Sequence, residues 1–577
     1  MDGPLIIKND GSILLDTGHP QAGGIRKWLA VIADLVKNPG TVHLYRLTAC
    51  SLWGAAAQGR TSEEVLDALE RHSRTGVPPA VRSLVTREMG RYGLLRLIEK
   101  DGVLVLVSED DRLVTKLLGR PELSFLVGAR SVEGAVPVAL EKRGAIKREL
   151  ARLGYPVVDE AGFHEGETVE IRWRTDAEGG ALLRDYQQEA VEAFALEGTR
   201  HGGSGVIVLP CGAGKTLVGI AAMARLGCAT LILAPNVASV RQWKRELLAR
   251  TFLSEEEIGE YSGEIKEVRP ITIATYQILT HRVSRNAPFW HMELFRERDW
   301  GLIVYDEVHL LPAPVFRVTA EIQATRRLGL TATLLREDGC EEDVFSLIGP
   351  KRYELPWREL EAEGHLARLE AWEIRIPLGD SARKAYEAAQ VRAQFRIAAE
   401  NEVKLQVCKE LLHKHEGLPT LIIGHYLAQL EQAARLTYSA LITGKTPHEE
   451  RERLYQEFRD GRRNRLVVSR VANFAIDLPE AQVAIELSGS YGSRQEETQR
   501  IGRVLRPKKN GGQAWFYTLV SDDTVEVGYA RKRRLFLAGQ GYHYRQYPYR
   551  QRVGNASEET EEESGNEHRI PANVQGP

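Results

Sequence analysis

The chain has 577 residues, about four times the ~150-residue domain prior, so two to five domains are expected. Its 43% hydrophobic and 27% charged residues exclude wholesale disorder and a collagen-like chain, and no run approaches ~18 consecutive apolar residues, which excludes a membrane-spanning helix. Lys and Arg number 77 against 79 Asp and Glu, a formal net charge of −2, which excludes a uniformly basic histone-like protein but leaves nucleic-acid binding open, since the placement of charge decides it.

The opening string MDGPLIIKNDGS has no basic segment followed by an apolar one, so no secretory signal is expected. Cys50, Cys211, Cys228, Cys340 and Cys408 are widely spaced with no CxxC, which supports neither a disulfide framework nor a zinc or iron–sulfur cluster and leads to the expectation of a reducing cytosolic setting. Residues 1 to about 118 mix short apolar runs with helical patterns; in TSEEVLDALERH, Thr61 and Ser62 precede Glu63, Glu64 and Asp67, the signature of a capped helix start. Residues 119 to 178 alternate short strands and helices. From about 180 to 370, apolar runs such as GVIVL, TLILAP, ITIAT, GLIVYDE and RLGLTAT alternate with helical stretches, the texture of a parallel sheet covered by helices. A charged helical stretch follows at 381 to 415, then a second αβ run from TLIIGHY to QAWFYTLV. The tail SEETEEESGNE carries six Glu and no cation and is expected to be a solvated acidic tail.

Four clusters carry chemistry. Leu209-Pro210-Cys211-Gly212-Ala213-Gly214-Lys215-Thr216 follows a strand and opens a helix. Small residues there let successive backbone N–H groups curl around a phosphate, the helix N-terminus adds its dipole, Lys215 reaches the outer phosphates and the Thr216 hydroxyl ligates Mg²⁺. Leu209 stands where the full GxxxxGK[ST] pattern has its first Gly, and a Gly-rich turn with an exposed Lys is the plainer alternative. About 90 residues on, the strand Trp300 to Tyr305 runs into Asp306-Glu307-Val308-His309, at the end of a strand where open α/β sheets bind ligands. Asp306 suits Mg²⁺ coordination, Glu307 suits orienting and deprotonating a water, and His309 suits coupling to neighbouring loops; alone, such a pair is more often a solvated turn. Thr331-Ala332-Thr333 puts two hydroxyls at another strand end. Last, in Gln499-Arg500-Ile501-Gly502-Arg503-Val504-Leu505-Arg506, Arg503 and Arg506 lie three apart on one helical face, either as cations that reach across a cleft to transition-state charge or as a basic surface helix. Farther on, residues 531 to 552 hold seven Arg and Lys, no acid, and Tyr542, Tyr544, Tyr547 and Tyr549, suited to phosphate contact and base stacking or else to an exposed helix and loop.

Together these residues resemble a superfamily-2 helicase of DEAH/DEVH type, and within it the XPB DNA-repair helicase family, bacterial branch. The resemblance rests on LPCGAGKT, YDEVHLLPAPVFR, LGLTATLLRED, IGPKRYELPWRELEAEGHLA and RQEETQRIGRVLR, and HLYRLTACSLWGAAAQG extends it to nearly the whole chain. It implies an α/β fold of two RecA-like parallel-sheet lobes with a helical thumb-like insertion, preceded by N-terminal α+β accessory domains: 1–118 an N-terminal domain, 119–178 a damage-recognition-like domain, 179–372 lobe 1, 373–415 the thumb-like insertion, 416–550 lobe 2, and 551–577 the acidic tail. It implies that Gln187, with Arg184 and Tyr186, reads adenine, a task a carboxamide suits because it both donates and accepts. By the same resemblance Asn236, Gln242 and Thr275 fall in strand-contact motifs, Arg336-Glu337-Asp338 in a triplet associated with unwinding, and Thr331, Thr333, Asp477 and Gln499 in coupling motifs. The loop Ser469 to Asp477 keeps Asp477 but departs from the family's small Gly-Asp-Thr core.

The expected activity is that of an ATP- and Mg²⁺-dependent DNA helicase or duplex translocase, 3′-to-5′, in DNA repair or transcription-linked opening. DNA is the expected partner, contacted without sequence preference, together with a nuclease or repair protein; no membrane is expected, and the location is cytoplasmic, at the nucleoid. The rivals are an RNA helicase on the same motor and a nucleotide-gated scaffold that recruits repair factors, against which Lys215, Glu307, Arg503 and Arg506 argue.

Overall fold

The computed structural model describes residues 3–37, 42–128, 135–161, 165–174, 183–195, 203–210, 212–284, 287, 289–311, 315, 326–332, 341–469, 481–488, 513–539 and 544–550. The chain divides into two compact units, Met1–Glu359 and Leu360–Pro577.

The first unit begins with a four-stranded antiparallel sheet in the order Leu5–Ile7, Ser12–Asp16, Val42–Arg46, Asp34–Lys37. Alternation within these strands turns Leu5, Ile13, Leu15 and Tyr45 inward, where helices Ala22–Ile32, Ala49–Ala57, Ser62–His72 and Pro79–Arg91 supply Leu29, Leu52, Val65, Leu69, Val81 and Val85. The capped start expected at Thr61 is present: the Thr61 hydroxyl accepts from Glu64 N, and the Glu64 carboxylate accepts from Thr61 N.

A second small core follows, and it corrects the expected boundary at 118. Leu95–Lys100 and Val103–Val107 form a hairpin whose turn residues Asp101 and Gly102 both have positive φ. This hairpin shares a sheet with Val136–Pro137 and Val157–Asp159, and Leu95, Leu97, Leu106, Val114, Leu117, Ile146 and Leu150 close one core. The strands before 118 therefore belong with those after it. Leu95–Lys100 has its partner Val157–Asp159 more than fifty residues downstream, a pairing that local pattern does not encode.

The rest of the first unit is a seven-stranded, wholly parallel sheet. Its order is Ile258–Tyr261, Ile271–Thr275, Thr230–Ala234, Leu302–Asp306, Arg326–Thr331, Ser204–Val208, Lys351–Glu354. Strands such as Thr230–Ala234 and Ile271–Thr275 are buried at every residue, as a parallel sheet between helical layers requires. Register sets Asp306 beside Leu330 and Thr331 beside Val208, so the acid pair, the threonine and the start of the Gly-rich turn all leave the sheet at the carboxyl ends of neighbouring strands.

The second unit has another parallel seven-stranded sheet, ordered Ala440–Ile442, Arg465–Ser469, Thr420–Gly424, Val483–Glu486, Gln513–Ser521, Arg368–Ile376, Tyr544–Pro548. Two RecA-like parallel-sheet lobes are thus present. The expected boundary at 372 falls inside Arg368–Ile376, a strand whose pairing with Gln513–Ser521 places it in the second sheet. The expected insertion over 373–415 is likewise divided. Helix Val403–Lys414 packs Val407, Cys408, Leu411 and Leu412 into the second sheet's core, and the helices Asp380–Ala388 and Val391–Ala399 are tied to the same unit, the Tyr386 hydroxyl accepting from Val525 N and Ser521 donating to Ala398 O.

Candidate functional site

The Gly-rich turn leaves strand Ser204–Val208 and enters helix Lys215–Leu226. Gly212 and Gly214 have φ of +86° and +80°, which side-chain-bearing residues rarely adopt, and a Cβ on Gly214 would stand 2.5 Å from Gln187 Nε2. Leu209, in the place of the first Gly, is fully buried and donates its N–H to Thr331 O at 2.9 Å; it continues the sheet and does not line the turn. Lys215 and Thr216 open the helix, both half-buried.

Opposite stands the acid pair. Lys215 Nζ lies 3.3 Å from Glu307 Oε1. Glu307 takes a left-handed backbone (φ 51°, ψ 56°), a conformation costing a non-glycine residue about 1–3 kcal/mol, which accompanies the abrupt exit from the strand. His309 Nδ1 lies 2.7 Å from the Thr331 hydroxyl and 3.5 Å from Glu307 Oε2, so Lys215, Glu307, His309 and Thr331 form a continuous polar chain. Burial alone pushes the Glu307 carboxyl up, but Lys215, and next His309, reverse this and hold it below the ordinary carboxylate value. Asp306 goes the other way: burial, then the neighbouring Glu307 charge, pushes it up. A buried carboxylate short of positive charge is the environment in which a cation is favoured.

Two contacts at Asp306 carry no sequence signal. Trp243 donates its indole N–H to Asp306 Oδ2 at 3.0 Å, and the Tyr276 hydroxyl donates to the Asp306 main-chain O at 2.9 Å. Both lie next to or within stretches expected to touch nucleic acid, and only spatial contact reveals what they do.

Gln187 sits against the Gly-rich turn. Its Nε2 donates to Ala213 O at 2.9 Å and its Oε1 accepts from Arg184 N at 3.0 Å, while the Tyr186 hydroxyl donates to Ala213 O at 2.8 Å. The structure thus brings Arg184, Tyr186, Gln187, Pro210, Gly212, Ala213, Gly214, Lys215, Thr216, Asp306, Glu307, His309 and Thr331 to one region of the first unit. Asn236 and Thr275 have local tasks: Asn236 Oδ1 accepts from Ser239 N at 2.9 Å and caps helix Val237–Arg250, and the buried Thr275 hydroxyl accepts from Ile278 N at 3.2 Å and caps Tyr276–Leu279. Gln242 is half-buried on the first of these helices. Cys211, Thr333, Arg336, Glu337, Asp338, Asp477, Gln499, Arg503 and Arg506 lie outside the described residues.

The basic and aromatic stretch 531–552 is largely committed to the second unit. Arg533 is buried 4.0 Å from Glu486, Arg534 Nη1 lies 3.6 Å from Glu373, and the Tyr549 hydroxyl donates to Glu410 at 2.8 Å. Tyr547 and Tyr549 pack against the sheet core, and Arg545 lies over the Trp372 ring at 5.2 Å. Among the described residues these contacts commit Arg533, Arg534, Arg545, Tyr547 and Tyr549 to the second unit's own packing, which neither a binding surface nor an exposed helix and loop anticipates. Among the described residues no helix is long and apolar enough to cross a membrane.

Three family models match the chain: an ERCC3/RAD25/XPB C-terminal helicase over residues 360–575, the res subunit of type III restriction enzymes over 181–336, and a helicase conserved C-terminal domain over 5–131. The chain is 52% identical to the DNA 3′-5′ helicase XPB of Kineococcus radiotolerans, covering 94% of this chain and 96% of that protein. It is 49% identical to the DNA 3′-5′ helicase XPB of Mycobacterium tuberculosis, covering 94% and 97%. Against the general transcription and DNA repair factor IIH helicase/translocase subunit XPB of Antonospora locustae it is 36% identical, covering 94% and 81%.

Proposed function

The chain belongs to the XPB family of DNA 3′-5′ helicases, and we propose that it hydrolyses ATP to drive 3′-to-5′ DNA unwinding or duplex translocation in DNA repair or transcription-linked opening. The single observation that carries the reading is the Lys215–Glu307 pair at 3.3 Å, with the Gly-rich turn on one side and Asp306 on the other. That arrangement supplies the phosphate cation, the water base and the metal carboxylate together.

The residues fit Mg·ATP. Gly212 and Gly214 hold the turn in positive-φ conformations that side-chain-bearing residues rarely adopt, and Asp306 is a buried carboxylate pushed upward by its surroundings. Thr216 and Asp306 would hold the metal, Arg184, Tyr186 and Gln187 the base, and Pro210 and Cys211 would contact ATP beside them. When bound, Mg²⁺ would supply positive charge against the charge that develops on the phosphates. Lys215 exchanges its carboxylate partner for phosphate. Glu307, released from that pair and still beside His309, orients the attacking water and accepts its proton. Arg503 and Arg506 add positive charge at the transition state, and Asp477 and Gln499 act with Thr333 in coupling. Arg336-Glu337-Asp338 acts in strand separation, and Asn236, Gln242 and Thr275 hold segments along which the strand runs.

Contacts go chiefly to phosphates, so binding is sequence-independent and weakens with salt. A nuclease or repair protein as partner, and a cytoplasmic site at the nucleoid, complete the reading. Steady-state ATPase with duplex DNA, single-stranded DNA and RNA tests it. DNA stimulation is expected, and stimulation by RNA alone would replace it with an RNA motor.

A further inference from the structure

Two segments tied to strand contact converge on one residue of the nucleotide site. Trp243, in helix Val237–Arg250, and Tyr276, the first residue of helix Tyr276–Leu279, are both nearly inaccessible, at 1% and 3% exposure. Trp243 reaches the Asp306 carboxylate and Tyr276 its main-chain carbonyl. The indole has a single donor and no acceptor, so at this site it stabilises only an oxygen that keeps a lone pair toward it. Its seat is fixed by the helix that follows the Gly-rich turn. A Cβ on Gly219 would come within 2.4 Å of the indole Cη2, so the ring packs directly on glycine backbone. Hydrogen bonds from a neutral donor to a buried carboxylate are stronger than neutral pairs, and groups that orient a metal's ligands govern affinity for the metal.

We propose that Trp243 is a positioning residue, whose indole N–H holds the Asp306 carboxylate in the rotation that takes the metal of Mg·ATP. The helix that carries it starts at Asn236, so the bond also links that strand-contact segment to the metal carboxylate. Tyr276 restrains the same residue from the backbone side. This deepens the reading of Asp306 as a metal ligand and rests on it.

The test is ADP binding by calorimetry across a Mg²⁺ titration, with a matched series in EDTA. Trp243→Phe keeps most of the apolar volume and removes the N–H. It should raise the Mg²⁺ concentration at half-maximal tightening by roughly 10–100-fold, the range for removing a ligand-orienting group, and leave ADP affinity in EDTA unchanged. Tyr276→Phe should shift the same midpoint less. Asp306→Asn separates the two levels. If it keeps the metal-linked tightening, the metal reading of Asp306 fails and the inference falls with it. If Asp306→Asn loses that tightening while Trp243→Phe matches the unsubstituted protein, the inference alone is overturned. An equal loss of ADP affinity with and without metal in Trp243→Phe would make Trp243 a packing residue and overturn it as well. Should Trp243→Phe not fold, benzothienylalanine at 243 keeps the bicyclic shape without the N–H and is judged by the same outcomes.

Discussion

Lys215 Nζ and Glu307 Oε1 stand 3.3 Å apart, with both side chains largely withdrawn from solvent at 11% and 14% exposure. The pair bridges the first turn of the helix after the Gly-rich loop and the residue that leaves strand Leu302–Asp306. On the proposed reading, a phosphate arriving at the turn would compete with Glu307 for the same ammonium, making nucleotide binding and release of the base one event. Lys215→Ala removes that cation and leaves Glu307 without its strongest lowering partner. ATP turnover should fall by at least about 10²–10³-fold, the loss seen when one preorganised charge-stabilising donor is removed, as steady-state ATPase would record.

Glu307→Gln tests the base separately. The amide is nearly isosteric and can occupy the same left-handed backbone position, but cannot take a proton from water. Hydrolysis should fall by about 10²–10⁴-fold with ATP affinity retained. Calorimetric binding beside single-turnover hydrolysis checks both halves, and loss of binding would give Glu307 a structural role.

Asp159 anchors the small sheet of the first unit. It receives Arg143 through two bonds, 2.9 and 2.6 Å, and Lys147 at 2.8 Å, all largely buried. Burial pushes this carboxyl up, but Lys147 and Arg143 overcome it and bring it down to about 2. Asp159→Asn would leave two buried cations against a neutral amide, and the cost should be about 3–5 kcal/mol. Urea unfolding followed at the first unit's tryptophans measures it.

His415 gives a pH dependence of known sign. Its Nε2 lies 2.7 Å from the Tyr517 hydroxyl, and burial, with Lys414 adding to it, lowers its pKa to about 4. The unfolded side chain titrates near ~6.5, so between these values the unfolded state binds the extra proton. Stability is therefore intact above about pH 6.5 and declines as pH falls toward 4. His415→Gln retains a polar partner for Tyr517 without titrating, and its thermal midpoint should fall less steeply across that window than that of the unsubstituted protein.

The approach of Lys215 to Glu307 was legible because each belongs to a short motif of consecutive residues, LPCGAGKT and YDEVH. Most strands of both sheets were legible too, since a buried parallel strand is a short unbroken apolar run. What escaped depends on distance in space. Leu95–Lys100 pairs with Val157–Asp159, and Arg368–Ile376 with Gln513–Ser521, so the boundaries drawn from local texture cut through both sheets. By the resemblance Trp243 falls with Gln242 in a strand-contact motif, and its bond to Asp306, sixty-three residues later, shows only in space. The Arg and Tyr run after 531 looked like a binding surface because its acidic partners Glu373, Glu410 and Glu486 lie far upstream.

Strand displacement on tailed duplexes distinguishes a 3′-to-5′ DNA motor from its rivals. With Mg·ATP, the full chain should unwind a DNA duplex bearing a 3′ single-stranded tail, and leave one bearing only a 5′ tail annealed. Glu307→Gln should displace neither. Displacement that persists in Glu307→Gln, or a DNA duplex left intact while an RNA duplex is opened, would contradict the account.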